Sequence, residues 1–376
     1  MEMQPPIELE IQDLARGGAG VGRDASGRVI FVPFTAPGDR VRVQVVEQKK
    51  QHYAHGKLLE ILRPSEIRQK PLCSVFGQCG GCQWQHIPYS LQWKTKSGGV
   101  LQALARVGIA TDFGDRCNEF PAEEIWEYRN RIQLRGLGNR VGFFAAGSHE
   151  IVGADRCAIA RPEINSIWEQ IRKEGAALAK PFKVEVAVDP DGSVQRIWNS
   201  SHGAAGFRQI HDAQNGKLQK WILNALPSGR ALLDLYGGGG NLSRAFADRV
   251  PVIHCVDFGA QPPVSAGLPQ NLYLHRSRVL PWLKKAAADP QIRSGAPWVA
   301  ISDPPRGGLG REFPEIADAL NVIGVKELVA VGCDPDSWAR DLAGFLKCGW
   351  VLEQVAVFDF FPQTPHVEAV ALLKFD

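Results

Sequence analysis

Cys333 ends the apolar run Leu328-Val329-Ala330-Val331-Gly332 and is followed by Asp334-Pro335. A buried strand that stops at a thiol delivers it to a cleft, and a helix opening at Asp334 would direct amide dipoles that favour a thiolate. A cysteine at a strand end can equally be structural; its neighbours make this one a candidate nucleophile. Glu368 closes the segment Phe361-Pro362-Gln363-Thr364-Pro365-His366-Val367-Glu368, which lies between two apolar runs and could return to the mouth of the same sheet. A partly desolvated carboxylate there suits a general base, with a salt-bridging role as the competing reading. His366 reads as an orienting or capping residue rather than a ligand.

Cys73, Cys79 and Cys82 form a C-x5-C-x2-C pattern with Gly80-Gly81 inside it. Three thiolates so close together can ligate one cluster, and the glycines let the backbone turn tightly around it. A four-cysteine site needs one more ligand. Cys157 is preferred to Cys117 for this, although spacing barely separates them. Four thiolates also suit tetrahedral zinc. The unequal spacing and single distant fourth cysteine fit an iron–sulfur cubane better than the paired C-x2-C units of zinc ribbons. Cys117, Cys255 and Cys348 read as small core residues.

Ala231-Leu232-Leu233-Asp234-Leu235 is an apolar strand ending in an acid, followed by Tyr236 and Gly237-Gly238-Gly239-Gly240. Such glycines let a backbone approach a nucleotide-type cofactor, or simply make a tight strand–helix turn. The next run, Val252 to Val256, ends at Asp257, whose carboxylate could accept hydrogen bonds from both hydroxyls of a ribose. Trp298 to Ser302 leads into Asp303-Pro304-Pro305-Arg306. That stiff loop could position a planar base over the cleft, or be an ordinary proline-rich strand exit.

The elements that must hold these residues follow from the rhythm of the apolar positions. The chain has 376 residues, 44% hydrophobic and 22% charged, which excludes wholesale disorder; its formal net charge of +3 means that any polyanion-binding surface must come from local clustering. Alternating runs at Ile7-Ile11, Val29-Val32 and Val41-Val45, with turns at Gly17-Gly18-Ala19-Gly20 and Pro37-Gly38-Asp39, predict a small antiparallel barrel over residues 1–63. Its later part carries Arg40, Arg42, Lys49, Lys50, Lys57, Arg63, Arg68 and Lys70 around His52 and Tyr53. They form either a solvated face or a track for a phosphate backbone. Residues 64–204 read as a mixed α+β domain, with helices near Leu91 to Val107 and Pro162 to Leu178. From 205 to 376 apolar strands alternate with helical segments. This predicts an α/β, doubly wound sheet with its ligand beyond the carboxyl ends of the strands. The N-terminus lacks a basic-then-apolar leader and no apolar run approaches the ~20 residues of a bilayer span, so a cytoplasmic chain without a membrane partner is expected. In that reducing setting, eight cysteines point to metal ligation or catalysis rather than disulfides.

Taken in order, the barrel from Ile7 to Leu62, the cysteines Cys73, Cys79, Cys82 and Cys157, Phe207-Arg208-Gln209, Asp234-Leu235-Tyr236-Gly237, Asp303-Pro304-Pro305-Arg306, Cys333-Asp334-Pro335 and His366-Val367-Glu368 resemble the bacterial RNA uracil-5-methyltransferases. The likeness is to the large-subunit rRNA enzymes with an N-terminal TRAM barrel. It implies an OB-like TRAM barrel, a central RNA-facing domain with a [4Fe-4S] cluster on the four cysteines, and a Rossmann-like domain. That last domain would hold S-adenosylmethionine through Gln209, Asp234, Tyr236, Gly237, Asp257 and Asp303. The substrate it implies is a uridine in structured RNA, 23S rRNA in particular, and no obligate protein partner is inferred. Cys333 would add to C6 of the uracil, making C5 nucleophilic enough to take the methyl group, and Glu368 would remove the C5 proton before the thiol leaves. Phe207 would stack on the extruded base while Gln209 and Asp303 read its polar edges. The cluster is expected to be structural, ordering the RNA-facing domain.

The chain also departs from that pattern. The family has Ser-Cys-Asn-Pro where Gly332-Cys333-Asp334-Pro335 stands, and the added carboxylate is expected to raise the thiol's pKa. His211 replaces a common Asn. Phe258-Gly259-Ala260-Gln261-Pro262-Pro263 is short and proline-rich where the family has a full helix, and Arg276-Ser277-Arg278 lacks the acid expected to meet adenine. These departures motivate a second reading, a non-catalytic or cofactor-impaired RNA-binding paralogue. A third takes Asp303-Pro304-Pro305 as the loop of an exocyclic-amine methyltransferase, which needs no thiol.

Overall fold

A computed structural model describes residues 5–50, 52–200, 209–259, 267–295 and 297–375. Strands β1 (Ile7–Leu14), β2 (Gly20–Arg23), β3 (Val29–Val32), β4 (Arg40–Lys50) and β5 (Tyr53–Arg63) form a closed barrel in the order β1-β2-β3-β5-β4. Period-two alternation turns Leu9, Ile11, Ile30, Val32, Val41, Val43 and Ala54 into one core. Three of the basic residues read as a phosphate track are instead neutralised internally. Arg68 pairs with buried Asp39 at 2.8 Å, and that carboxylate also accepts from the N–H groups of Ala36 and Ser65. A buried carboxylate stays charged only when so paired. Arg40 and Arg42 pair with Glu8, and Arg42 also with Glu60, across neighbouring strands.

Helix α1 (Tyr89–Arg106) and strand β6 (Cys117–Phe120) come next. They are followed by β7 (Arg131–Leu137), β8 (Arg140–Phe144), β9 (Ile151–Gly153), α2 (Pro162–Ser166), α3 (Trp168–Ala176), β10 (Phe182–Val188) and β11 (Val194–Trp198). The strands β11-β10-β7-β8-β9 make an antiparallel sheet, one face of which buries Ile132, Leu134, Val184 and Val186 against Ile164, Trp168 and Ile171. The helix expected over Pro162 to Leu178 is two helices that meet at Ile167.

The remaining elements are α4 (Asp212–Ala225), β12 (Ala231–Leu235), β13 (Ile253–Asp257), β14 (Leu272–Arg276), α5 (Val279–Ala288), α6 (Pro290–Ser294), β15 (Trp298–Ser302), α7 (Phe313–Ile323), β16 (Val325–Gly332), α8 (Pro335–Lys347), β17 (Val351–Phe358) and β18 (Glu368–Lys374). Their eight-stranded sheet runs β14-β13-β12-β15-β16-β18-β17-β6. It is parallel from β14 to β16, β18 is antiparallel to both neighbours, and β6 is parallel to β17. β12 and β15 are buried throughout, as strands covered on both faces must be. The strand order reverses at β12, so the loops after β12 and β15 open side by side at a topological switch point.

Two compact units result: Met1–Lys96, Glu123–Ser200 and Phe361–His366 form one, and Ser97–Ala122, Ser201–Phe360 and Val367–Asp376 the other. Residues 97–122, read in the sequence as part of a central domain, join the second unit. There β6 adds to the edge of the sheet, with Cys117 opposite Val355 and the Phe120 and Phe358 rings stacked at 4.4 Å. Among the described residues no helix is long and apolar enough to cross a membrane.

Candidate active site

β12 is buried throughout, Asp234 included, and neither carboxylate oxygen has a hydrogen-bond partner among the described residues. Burial pushes its pKa up to about 6, against the neighbouring Ser243 and Cys255 and with help from Asp257. The chain then turns through Tyr236 at φ 62°, a region that costs a residue bearing a Cβ. Gly237 passes directly over the acid: a Cβ there would lie 2.4 Å from Asp234 Cγ. Beyond the glycines the chain makes one 3-10 turn, Ser243–Phe246. At the end of β13, Asp257 accepts from the N–H groups of Gly238 (3.3 Å) and Gly259 (2.6 Å), which ties this acid to the glycine loop. Among the described residues no helix lies between β13 and β14, and Arg276 stands opposite Asp257.

The β16–β18 ladder ends with Gly332 opposite Ala369, so Cys333 and Glu368 are the next residues in its register. Glu368 is only 3% exposed; burial raises its pKa well above the usual carboxylate value, Asp303 adds to the shift, and Arg306 opposes it. Cys333 is half-buried. Burial first, then Glu368 and Asp303, push its thiol up to about 11, again against Arg306. Asp303 is anchored by its N–H to Leu235 O at 3.1 Å, and burial with Asp234 and Asp257 nearby raises its pKa too. Four carboxylates and one thiol from five strand ends thus share one electrostatic environment. Arg306, the cation that tempers it, had no role in the sequence reading. Its signal was a basic residue directly after the Asp-Pro-Pro turn.

The two departures around Cys333 have local explanations. A Cβ on Gly332 would stand 2.7 Å from Trp338 Cβ, and Trp338 Nε1 donates to Ala330 O at 3.0 Å, so the indole fills the space a serine side chain would need. Asp334 was expected to raise the thiol's pKa; instead its Oδ1 accepts the Ser337 N–H at 3.0 Å and caps α8, whose first residue is Pro335. The groups that raise Cys333 are the acids at 368 and 303. Cys333 also lines a cavity of about 20 Å³ with Pro304, Pro305, Leu309 and Trp338, room for a single water.

Phe207 and Arg208 lie outside the described residues. Gln209 is buried two positions before His211, the residue that precedes α4. In the first unit, Cys73, Cys79, Cys82 and Cys157 line one cavity of about 200 Å³ together with Gln85 and Arg129. Gly81 N–H donates to Cys79 Sγ at 3.4 Å, Gln85 bonds Cys82 while its Oε1 accepts Cys73 N–H at 3.1 Å, and the amides of Ile159 and Ala160 reach Cys157. Burial pushes the Cys79 thiol up to about 11 and Cys82 to about 12. Among the described residues, no group of three or more His, Cys, Asp or Glu side chains is arranged to hold a metal ion. Cys117 lies on β6 and Cys255 is buried in β13, whereas Cys348, read as a core residue, is exposed because it follows the last turn of α8.

Residues 7–59 match the TRAM domain. The chain is 30% identical over 387 residues to an uncharacterized RNA methyltransferase of Bdellovibrio bacteriovorus, covering 98% of this chain and 95% of that one. It is 27% identical over 437 residues to the 23S rRNA (uracil(1939)-C(5))-methyltransferase RlmD of Halomonas elongata, covering 98% and 89%. The fold is similar to that of the Pyrococcus abyssi tRNA (uracil-54, C5)-methyltransferase, solved with S-adenosyl-L-homocysteine, at a TM-score of 0.68 and 20% identity over 97% of this chain and 99% of that one.

Proposed function

The chain belongs to the RNA uracil-5-methyltransferase family, and from that premise we propose that it methylates C5 of a uridine in structured RNA, 23S rRNA being the favoured class, with S-adenosylmethionine as donor. The observation that carries this reading is the register of β16 and β18, in which Cys333 and Glu368 follow directly on the Gly332–Ala369 pair.

Uracil C5 is a weak nucleophile. Addition of the Cys333 thiolate to C6 moves electron density to C5, which could then take the donor's methyl group as the methyl–sulfur bond breaks and the neutral thioether leaves. Glu368 takes the C5 proton, and the Sγ–C6 bond breaks as the ring double bond is restored. Asp303 and Gln209 serve as partners for the polar edge of the base, and Phe207, outside the described residues, as its stacking platform.

The residues around the glycine loop suit the donor. Asp234 has unpartnered oxygens, Gly237 leaves its surface bare, and Asp257 is oriented by two amides; Gln209, Tyr236 and Asp303 complete the set. Bound there, S-adenosylmethionine supplies an electrophilic methyl group, and its sulfonium charge suits a pocket crowded with acids. In this reading Cys73, Cys79, Cys82 and Cys157 of the first unit would hold a [4Fe-4S] cluster. Support comes from the shared cavity of about 200 Å³, larger than one ion requires, and from the amide donors aimed at its sulfurs. The cluster's part is structural, in a cytoplasmic setting.

Mass spectrometry of nucleosides from treated rRNA tests the proposal. Wild-type protein should form 5-methyluridine and Cys333→Ala none; equal methylation by the variant would overturn it. The short, proline-rich sequence after Asp257 motivates one other reading, a non-catalytic or cofactor-impaired RNA-binding paralogue. Tight S-adenosylmethionine binding in a calorimeter would dismiss it.

A further inference from the structure

The sheet face opposite the Trp168 and Ile171 core carries a pair of residues that folding alone does not explain. Arg135 on β7 and Lys183 on β10 stand directly opposite each other in the antiparallel register. Like charges in that position repel and cost the sheet stability. Neither cation has an ion-pair partner among the described residues.

Both are instead held in place. Arg135 Nη2 donates to Gln133 Oε1 at 2.6 Å, and its guanidinium carbon lies 4.9 Å from the centre of the Phe144 ring. Phe144 is fixed from behind by the cysteine loop: Gly80 N–H donates to Phe144 O at 3.0 Å, and a Cβ on Gly80 would come within 3.2 Å of that oxygen. Beside Lys183, Asn199 adopts φ 52°; its Oδ1 accepts the Lys183 N–H at 3.1 Å and its own N–H donates to Lys183 O at 2.9 Å. Arg135, Phe144, Ile151, Pro181, Lys183 and Asn199 line an open cavity of about 300 Å³.

Two uncompensated cations, a guanidinium layered on an aromatic ring and an anchored amide form a combination suited to one unpaired nucleotide. We propose that this cavity is an RNA subsite on the first unit. The base stacks on the Arg135 guanidinium, the phosphate sits between Arg135 and Lys183, and the Asn199 amide meets a polar edge. The inference rests on RNA as the macromolecule this chain acts on, and not on the Cys333 chemistry.

Fluorescence anisotropy of a fluorescein-labelled uridine decamer with the full chain, in several salt concentrations and without methyl donor, tests it. Arg135→Ala and Lys183→Ala should each weaken binding about tenfold and flatten the slope of log affinity against log salt by roughly 0.7. Phe144→Leu should weaken binding without changing that slope. Because a repelling pair is relieved, the two charge variants should melt no lower than wild type. Unchanged affinity and slope would overturn the proposal. So would a fall in melting temperature that tracks the lost affinity, which marks a structural pair, or competition by polyglutamate equal to that of the RNA, which marks an acidic protein partner. The assay reads no methylated product, so its failure leaves the Cys333 chemistry standing, and failure of that chemistry leaves these shifts intact.

Discussion

Cys333 and Glu368 occupy the rung that follows Gly332 and Ala369 on neighbouring antiparallel strands. Glu368 disfavours the charged form of Cys333, Asp303 disfavours the charged form of both, and burial acts on the two in the same direction. The thiol therefore rests protonated near neutrality, beside an acid that holds its proton more tightly than a free carboxylate does.

A thiol pushed up to about 11 is almost wholly protonated near neutrality, and its thiolate fraction grows about tenfold per pH unit below that value. Iodoacetamide labelling of Cys333, followed by peptide mass spectrometry, should accelerate accordingly between about pH 7 and pH 9. Arg306→Gln removes the opposing cation and should slow labelling at every pH in that range. A rate that bends toward a plateau by about pH 9 in the wild-type protein would mean an ordinary thiol.

Asp334 offers a control. Its carboxylate caps α8, so Asp334→Asn, which caps equally well, should leave the labelling profile and the melting temperature as they are. Asp334→Ala should cost about 1 kcal/mol of stability through the lost cap, again with the same labelling profile. A profile displaced to lower pH in either variant would restore the acid as a cause of the raised thiol.

Removing the proposed base separates two bond-breaking events. Glu368→Gln cannot accept the C5 proton, so methylated RNA should remain attached to Cys333 while turnover falls by roughly a hundredfold or more. A protein–RNA species that survives denaturing electrophoresis in this variant, and is absent from Cys333→Ala, is the expected outcome. Free product at the wild-type rate would assign the proton to another group.

Much of the C-terminal sheet is readable in the chain because local alternation and burial agree there. β12 and β15 begin and end where their apolar runs do, and Asp234, Asp257, Asp303 and Cys333 are recognisable as strand-end residues. β6 is not readable. Cys-Asn-Glu-Phe has no periodicity of its own and is a strand only because Val355 to Phe358 offers it an edge more than 200 residues away. The same limit hid the fate of Arg40, Arg42 and Arg68, whose partners Glu8, Glu60 and Asp39 come together only when the barrel closes. Around Cys333, the sequence showed the glycine at 332 and the acid at 334. Why each is tolerated depends on Trp338 and Ser337, which one turn of α8 brings back over them.

Asp234 stores a cost that has a measurable pH dependence. Its folded pKa of about 6 lies above the unfolded value of 3.8, so the folded chain holds the proton more tightly. Stability is then greatest below the unfolded value, falls by about 3 kcal/mol as pH rises from there to the folded value, and stays low above about 6. Asp234→Asn removes that cost. The variant should melt several degrees higher than wild type at about pH 8, lose the difference below about pH 4, and bind S-adenosylmethionine far more weakly. A variant that melts lower at about pH 8 would show that the carboxylate is already paired in the folded chain.

The same raised acids should make donor binding release protons. Asp234, Asp303 and Glu368 all hold protons more tightly than free carboxylates because burial and mutual repulsion disfavour their ionised forms. A sulfonium cation entering among them reverses that preference, so each acid it faces ionises on binding. By linkage, affinity must then rise with pH, by up to tenfold per unit for each proton lost, across the interval around the Asp234 value of about 6. Calorimetry of S-adenosylmethionine in buffers of different ionisation enthalpy reads the proton count directly, and S-adenosylhomocysteine, whose sulfur is neutral, should release fewer. Equal release for the two ligands would place the sulfonium away from these carboxylates, and with it the methyl group away from Cys333 and Glu368.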